Sequence, residues 1–325
     1  MNIKEVYSSV KDGLSGVDNE FAALIKTQDG VFRELHQMLA HILGGRGKAV
    51  RPLLALHAGG LYQRDLGKLT YMASAAELMH IATLVHDDAI DKASVRRGRD
   101  TINKVWGTDR AIIFGDYLFA KAAEFAVDTG SLRVVRLFAR TLEAISGGEL
   151  RQGFSAFKLD QTFEQYIERI TGKTASLFAL STEGGAVLSD APEESIQILS
   201  NFGLNLGIAF QIVDDVLDFV ATEKDLGKPV ASDLCQGTMT LPSMLLLQRF
   251  PKDNPVRRVF RGEGDKEANI KEAVRMVHES DIVDECYRIA TEYSLKAVSR
   301  LSALPDRSSR DALFTMADYV IKRKT

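Results

Sequence analysis

The sequence predicts an all-α fold, and three observations carry that prediction. Apolar residues recur at helical steps through most of the 325 residues, strand-like alternation is nearly absent, and only seven prolines interrupt the chain. Between Leu69 and Asp91, for example, Met72, Ala75, Ala76, Leu78, Met79, Ala82 and Val85 mark helical turns. The same periodicity predicts helices over Asp109–Val127, Leu132–Gln152, Phe163–Leu188, Pro192–Ala221, Thr240–Arg249, Ile270–His278, Val283–Leu301 and Asp306–Lys322. Start signals agree with this reading. Asp190-Ala191-Pro192-Glu193-Glu194 supplies an N-cap candidate, a proline near the first turn and acids where the helix dipole favours them. Several of these helices are apolar on nearly every face, which predicts central members of a bundle.

No Pro/Gly/Ser-rich linker divides the chain, so a single domain over residues 1–325 is expected. The one long segment without periodicity is Glu223–Thr240, a polar stretch rich in Gly, Lys and Asp; such a loop inside a helical domain is expected to serve function. Composition narrows the function classes. With 45% apolar and 26% charged residues the chain reads as a globular protein, and a formal charge of −3 argues against a nucleic-acid binder. The two cysteines, Cys235 and Cys286, lie far apart and outside any metal-ligand spacing, which fits a reducing compartment. The first residues lack the apolar core of a signal peptide and no stretch reads as a transmembrane span, so a cytoplasmic location is expected.

Two acidic segments carry the chemistry. One is Leu84-Val85-His86-Asp87-Asp88-Ala89-Ile90-Asp91; the other is Gln211-Ile212-Val213-Asp214-Asp215-Val216-Leu217-Asp218. Residues i and i+4 share a helix face, so Asp87 pairs with Asp91 and Asp214 with Asp218. Like charges at that spacing repel by a few tenths of a kcal/mol in an isolated helix, and by more in apolar surroundings. No Lys or Arg in the preceding turns neutralises either segment. A hard divalent cation is the natural compensation, and Mg²⁺ binds through one or two carboxylates while sharing its remaining sites with phosphates and water. A single such triad could be a solvated helix end; two, each within an apolar helix and more than a hundred residues apart, point to a metal site.

Basic residues complete the pattern. Ser94-Val95-Arg96-Arg97-Gly98-Arg99 follows the first triad directly, and guanidinium forks match diphosphate oxygens. Gly44-Gly45-Arg46-Gly47-Lys48-Ala49-Val50-Arg51-Pro52 puts Lys48 and Arg51 at the start of a helix, where anions are attracted. Lys173 and Thr174 open an apolar run, Lys228 sits in the polar loop, and His80 lies two turns before Asp87. Any one of these could be a solvated charge or a core histidine; their number beside two metal-type triads raises them.

These motifs, in this order, resemble the all-trans polyprenyl diphosphate synthase family within the isoprenoid-synthase fold. They are GKAVRP (Gly47–Pro52), HIATLVHDDAID (His80–Asp91), SVRRGR (Ser94–Arg99), GD (Gly115-Asp116), GKTASL (Gly172–Leu177), FQIVDDVLD (Phe210–Asp218) and DLGKP (Asp225–Pro229). The resemblance implies a helical bundle with a central cavity and a Mg²⁺-dependent condensation of isopentenyl diphosphate with an allylic diphosphate. By the same resemblance Asp87, Asp91 and Asp214 hold Mg²⁺ bridged to the allylic diphosphate, while Asp88, Asp215 and Asp218 ligate or support. Arg96, Lys173 and Lys228 would contact that diphosphate; Lys48, Arg51, His80 and Arg97 would hold isopentenyl diphosphate; Thr174 and Gln211 would lie near the reacting carbons. A homodimer is the family's usual assembly.

Two positions depart from the family pattern: Ala49 where a second basic residue is usual, and Thr238 where lysine is common. Product length should follow the residues four and five before Asp87, here Thr83 and Ala82, where an aromatic blocks farnesyl-producing members. Small residues there, with Met79 and Ala75 deeper on the helix, imply a longer product of the quinone side-chain type, with geranylgeranyl diphosphate as the alternative. An inactive partner subunit and a class I terpene cyclase are the competing functions. Both triads are intact, and the second is all-aspartate, which speaks against each.

Overall fold

The computed structural model describes residues 1–45, 47–63, 65–222 and 230–323. The chain opens with four helices, α1 (Ile3–Ser9), α2 (Lys11–Lys26), α3 (Arg33–Leu43) and α4 (Val50–Gly59). The long helix α5 (Leu66–Ile90) follows, then a two-stranded hairpin of β1 (Val95–Arg96) and β2 (Arg99–Asp100). Next come α6 (Ile102–Trp106), α7 (Thr108–Asp128), α8 (Leu132–Ser155) and α9 (Phe163–Ile170), a π-turn at Thr171–Ala175, and α10 (Ser176–Leu188). The remainder comprises α11 (Glu193–Val220), α12 (Ser232–Cys235), α13 (Leu241–Arg249), α14 (Pro255–Arg261), α15 (Lys266–His278), α16 (Ile282–Val298), a 3₁₀ turn at Leu301–Ala303, and α17 (Ser308–Lys322).

The all-α expectation holds. Three details differ from the periodicity reading. The run from Phe163 to Leu188 is broken by the π-turn, where Gly172 and Gly148 let two backbones approach: a Cβ on Gly172 would stand 2.8 Å from the Ala144 carbonyl. Asp190 adopts a left-handed conformation, φ 54°, and the helix begins three residues later at Glu193. The polar segment expected over Glu223–Thr240 contains the short α12, and its residues 223–229 lie outside the described residues.

Residues sort into two units. The first holds Met1–Thr141, Leu177–Gly203 and Val298–Met316; the second holds Leu142–Ser176, Leu204–Ala297 and Ala317–Thr325. In the first, α4 and α5 form the centre. Every residue of α4 from Arg51 to Gly59 is buried, as are fifteen residues of α5. This is the outcome expected of helices that are apolar all round. Asp65 caps α5 by accepting a hydrogen bond from the Lys68 amide at 3.1 Å. Close approach is purchased with glycine: Gly184 lies against Met72, and Gly185 against the backbone of Ala55.

In the second unit the core gathers around the later part of α11. Ile208, Ile212, Val213, Val216 and Phe219 pack with Tyr166, Ile170, Leu234, Leu246, Val277 and Cys286. Among the described helices α11 is the one long and apolar enough to cross a membrane by length and composition, which corrects the expectation that no stretch reads that way. Most of that window is buried inside the protein, as a core helix requires, and the helix carries Asp214, Asp215 and Asp218.

Candidate active site

In the first unit the acidic segment ends α5, and the chain then reverses through the hairpin. Val95 pairs with Asp100 and Arg96 with Arg99. The two turn residues, Arg97 and Gly98, both have positive φ, 51° and 74°, as a type I′ turn requires. That reversal brings Arg96 back onto the helix: its Nε donates to Asp88 Oδ1 at 2.8 Å. Asp88 is 5% exposed, and burial raises its pKa while Arg96 opposes the rise. Asp87 is half-buried and Asp91 exposed at the end of the same helix, four residues apart, while Asp88 between them is buried against Arg96.

Of the basic residues named from sequence, Arg51, Arg96 and Arg97 gather here around His80. His80 is held well below the usual imidazole range, first by burial and then by the charges of Arg51, Arg97 and Arg96. It is therefore neutral at physiological pH, inside a positive field. Gly45 and Gly47 serve this cluster: a side chain at either would overlap the guanidinium of Arg99 or Arg97 respectively. Arg51 is 8% exposed, with its guanidinium carbon 5.2 Å from the ring centre of Phe178. Lys48 is exposed, and its carbonyl accepts a hydrogen bond from the Tyr7 hydroxyl. Ala49, the first departure from the family pattern, takes a left-handed conformation with φ 46° just before α4.

His86 has a structural partner. Its Nε2 lies 2.8 Å from the Ile112 carbonyl and 3.6 Å from Asp116 Oδ1, and Gly115 leaves room for the ring. The Gly115-Asp116 pair thus seats the last turns of α5 against α7.

In the second unit the three aspartates of α11 have different fates. Asp215 is 3% exposed; its oxygens accept from the Tyr166 hydroxyl and from Gln211 Nε2, each at 2.8 Å. Its pKa is pushed up to about 7, first by burial and then by the charge of Asp233, against the pull of its two hydrogen bonds and Arg169. Asp218 is also 3% exposed and accepts from Ser232 Oγ at 2.9 Å and from the Asp233 amide at 3.2 Å. Asp214 keeps 42% side-chain exposure and pairs with Arg323 at 2.5 Å.

Gln211 Oε1 accepts a hydrogen bond from Thr174 Oγ1 at 2.7 Å, so Thr174, Gln211, Asp215 and Tyr166 form one chain of contacts. Lys173, in the π-turn, lies 2.5 Å from Glu149 and 3.5 Å from Gln152 on α8. Thr238, the second departure, is buried, and its amide donates to the Asp233 carbonyl at 2.9 Å. Lys228 and the DLGKP motif lie outside the described residues.

Sequence reasoning missed Tyr166, Glu149 and Arg323. Tyr166 reads as an ordinary core aromatic, and Glu149 and Arg323 carry no local signal because their partners lie 24 and 109 residues away. The neutralising arginines absent from the preceding turns come instead from the hairpin and from beyond α17. Among the described residues no three His, Cys, Asp or Glu side chains form a closed metal cage. That suits Mg²⁺, which prefers one or two carboxylates, bound phosphate and water to an all-protein shell. Asp87, Asp91 and Asp214 each offer hard oxygen donors of the kind Mg²⁺ takes.

The fold has the isoprenoid-synthase architecture, and comparison with known proteins makes the chain a prenyltransferase. A family model described as polyprenyl synthetase matches residues 32–277. Heptaprenyl diphosphate synthase component 2 of Geobacillus stearothermophilus is 36% identical over 325 residues, covering 99% of each chain. Among solved structures, a polyprenyl synthase from Caulobacter crescentus CB15, complexed with calcium and isoprenyl diphosphate, matches at a TM-score of 0.93 and 30% identity, covering 100% of this chain and 98% of that one. Heptaprenyl diphosphate synthase from Staphylococcus aureus matches at 0.90 and 34%, covering 97% and 99% respectively. The chain belongs to the polyprenyl synthetase family.

Proposed function

We propose that the protein condenses isopentenyl diphosphate with an allylic diphosphate to give an all-trans polyprenyl diphosphate longer than farnesyl diphosphate. The observation that carries this reading is the gathering of Arg51, Arg96 and Arg97 around a neutral His80, two turns before Asp87. Cationic forks beside hard oxygen donors are what a metal-bound diphosphate needs.

Asp87, Asp91 and Asp214 would hold Mg²⁺, which when bound supplies Lewis-acid stabilisation of charge on a leaving diphosphate. Arg96, Lys173 and Lys228 take the allylic diphosphate; Lys48, Arg51, His80 and Arg97 take isopentenyl diphosphate, with neutral His80 donating a hydrogen bond rather than a charge. Asp88, Asp215 and Asp218 support, each already engaged by protein donors. Thr174 and Gln211, hydrogen-bonded to each other, would lie near the reacting carbons. Ala82, Met79 and Ala75, all fully buried on α5, line the path of the growing chain, with no aromatic at Ala82 or Thr83 to stop it early.

The test is incubation of the purified chain with Mg²⁺ and both substrates, with products resolved by mass spectrometry. Asp87→Ala and Asp214→Ala proteins, shown to be folded, should each lose about a hundredfold or more in condensation rate. Full rates in both would refute the two-triad mechanism.

For assembly we favour a homodimer, on the family's usual habit. The name of the Geobacillus relative, a synthase component 2, favours a second reading in which activity needs a different subunit. Turnover by the purified chain alone supports the first; inactivity with intact folding supports the second. The chain would work as a single domain, since the family match runs through residues of both units. A cytoplasmic location rests on two free cysteines, Cys235 exposed and Cys286 buried; cell fractionation tests it.

A further inference from the structure

Of the three aspartates on α11, Asp215 and Asp218 are turned into protein donors, and only Asp214 keeps substantial exposure. Among the described residues its ion-pair partner is remote in sequence. Arg323 follows α17 directly, and its side chain is only 8% exposed. Its Nη2 donates to Asp214 Oδ1 at 2.5 Å and to the Phe210 carbonyl at 2.7 Å. Its guanidinium carbon stands 3.8 Å from the ring centre of Phe210. Phe210 and Asp214 are four residues apart, so one turn of α11 supplies a stacking face, a backbone acceptor and a carboxylate to the same guanidinium. An arginine side chain so little exposed, with a charge-assisted hydrogen bond and a stacked ring, is a built contact, unlike a solvated surface pair.

We propose that Arg323 is the resident counter-ion of Asp214, so that a divalent cation reaching this carboxylate competes with the guanidinium and, on binding, releases it. The proposal rests on the reading of Asp214 as a cation ligand. Two consequences follow from charge. With no cation bound, Arg323 balances a carboxylate that would otherwise face Asp215 and Asp218 on the same helix. When a cation arrives it must break this pair, and Coulomb's law at the dielectric of water makes the attraction of two unit charges about 3 Å apart worth roughly tenfold in affinity. Displacement also unties the end of α17, where the Arg323 amide donates to the Tyr319 carbonyl at 3.0 Å. Arg323 is thus a positioning residue: it sets the orientation and availability of Asp214.

The experiment measures binding of Mn²⁺ alone to the full chain, without diphosphate, from the electron paramagnetic resonance signal of free ion. Wild type is compared with Arg323→Met, Arg323→Lys, Asp214→Asn and the Arg323→Met/Asp214→Asn pair. Arg323→Met should bind one Mn²⁺ roughly tenfold more tightly than wild type. Arg323→Lys should stay within about threefold of wild type, because it keeps the charge. Adding Asp214→Asn should abolish the gain. Unchanged or weaker binding in Arg323→Met overturns the proposal. A gain that survives Asp214→Asn overturns it too, yet leaves the metal reading standing. If Asp214→Asn alters Mn²⁺ binding in neither background, Asp214 is no ligand, and this proposal falls together with that part of the functional reading. Should Arg323→Met fail to fold, hydrogen exchange on wild type decides. Mn²⁺ should speed exchange of the Arg323 amide, and unaltered protection at saturating Mn²⁺ overturns the proposal.

Discussion

Replacing Asp215 by asparagine removes a titration that the fold strongly perturbs. The carboxyl is buried beside the charge of Asp233, and its pKa rises from 3.8 to about 7. In the unfolded chain the group ionises near its ordinary value. Between about pH 4 and pH 7 the folded protein therefore holds a proton that the unfolded chain has lost. Stability from this group is fully present below pH 4 and is lost as pH rises through 7. One pH unit of pKa difference corresponds to about 1.4 kcal/mol, so over the interval from pH 5 to pH 8 the loss is about 3 kcal/mol. Asparagine keeps the contacts: its carbonyl can accept from Gln211, and the Tyr166 hydroxyl can turn to accept from its amide. Urea titrations at pH 5 and pH 8, with chelator present, would compare the two proteins. Wild type should lose about 3 kcal/mol more than Asp215→Asn over that interval. If the two stability profiles run parallel within about 0.5 kcal/mol, the buried-proton account of Asp215 is wrong.

Two further outcomes follow from packing. Gly115→Ala would push a methyl into the His86 ring, breaking its contact with the Ile112 carbonyl; a loss of about 1–3 kcal/mol is expected by thermal or urea denaturation, with reduced condensation because Asp87 adjoins His86. Ala82→Phe fills a fully buried position on α5 and should shorten the main product, read by mass spectrometry of the dephosphorylated alcohols; an unchanged length would show that the chain grows along another path.

The central helices were legible because their apolar residues repeat without interruption: α5 and α11 follow the periodicity closely. The N-terminal helices were harder. Helix α2 carries Val17, Phe21 and Leu24 at helical spacing, but Gly13 and Gly16 weaken its propensity. The structure explains those glycines, since Gly13 sits against Leu56 and Gly16 against Thr70, where larger residues would hold the helices apart. Helix α14 is only seven residues long, too short for a periodic signal, although Asn254, Pro255 and Gly262 are its cap, first residue and left-handed stop. At the site, residue types within a turn of each other could be read together, as with Asp87 and Asp91. Pairings such as Lys173 with Glu149 depend on tertiary contact and leave no trace in local spacing.

The π-turn at Thr171–Ala175 has a consequence for how this region tolerates change. A π-turn is a helix with one surplus residue, and each helical residue advances the chain by about 100° around the axis. Deleting a residue there would restore a regular helix and change which side chains the turn itself projects, taking Lys173 away from Glu149 or Thr174 away from Gln211. Point substitutions in this segment change one side chain; a change of length re-aims every side chain of the turn. A one-residue deletion in this stretch should therefore disturb the Lys173 and Thr174 contacts together, where a replacement disturbs one.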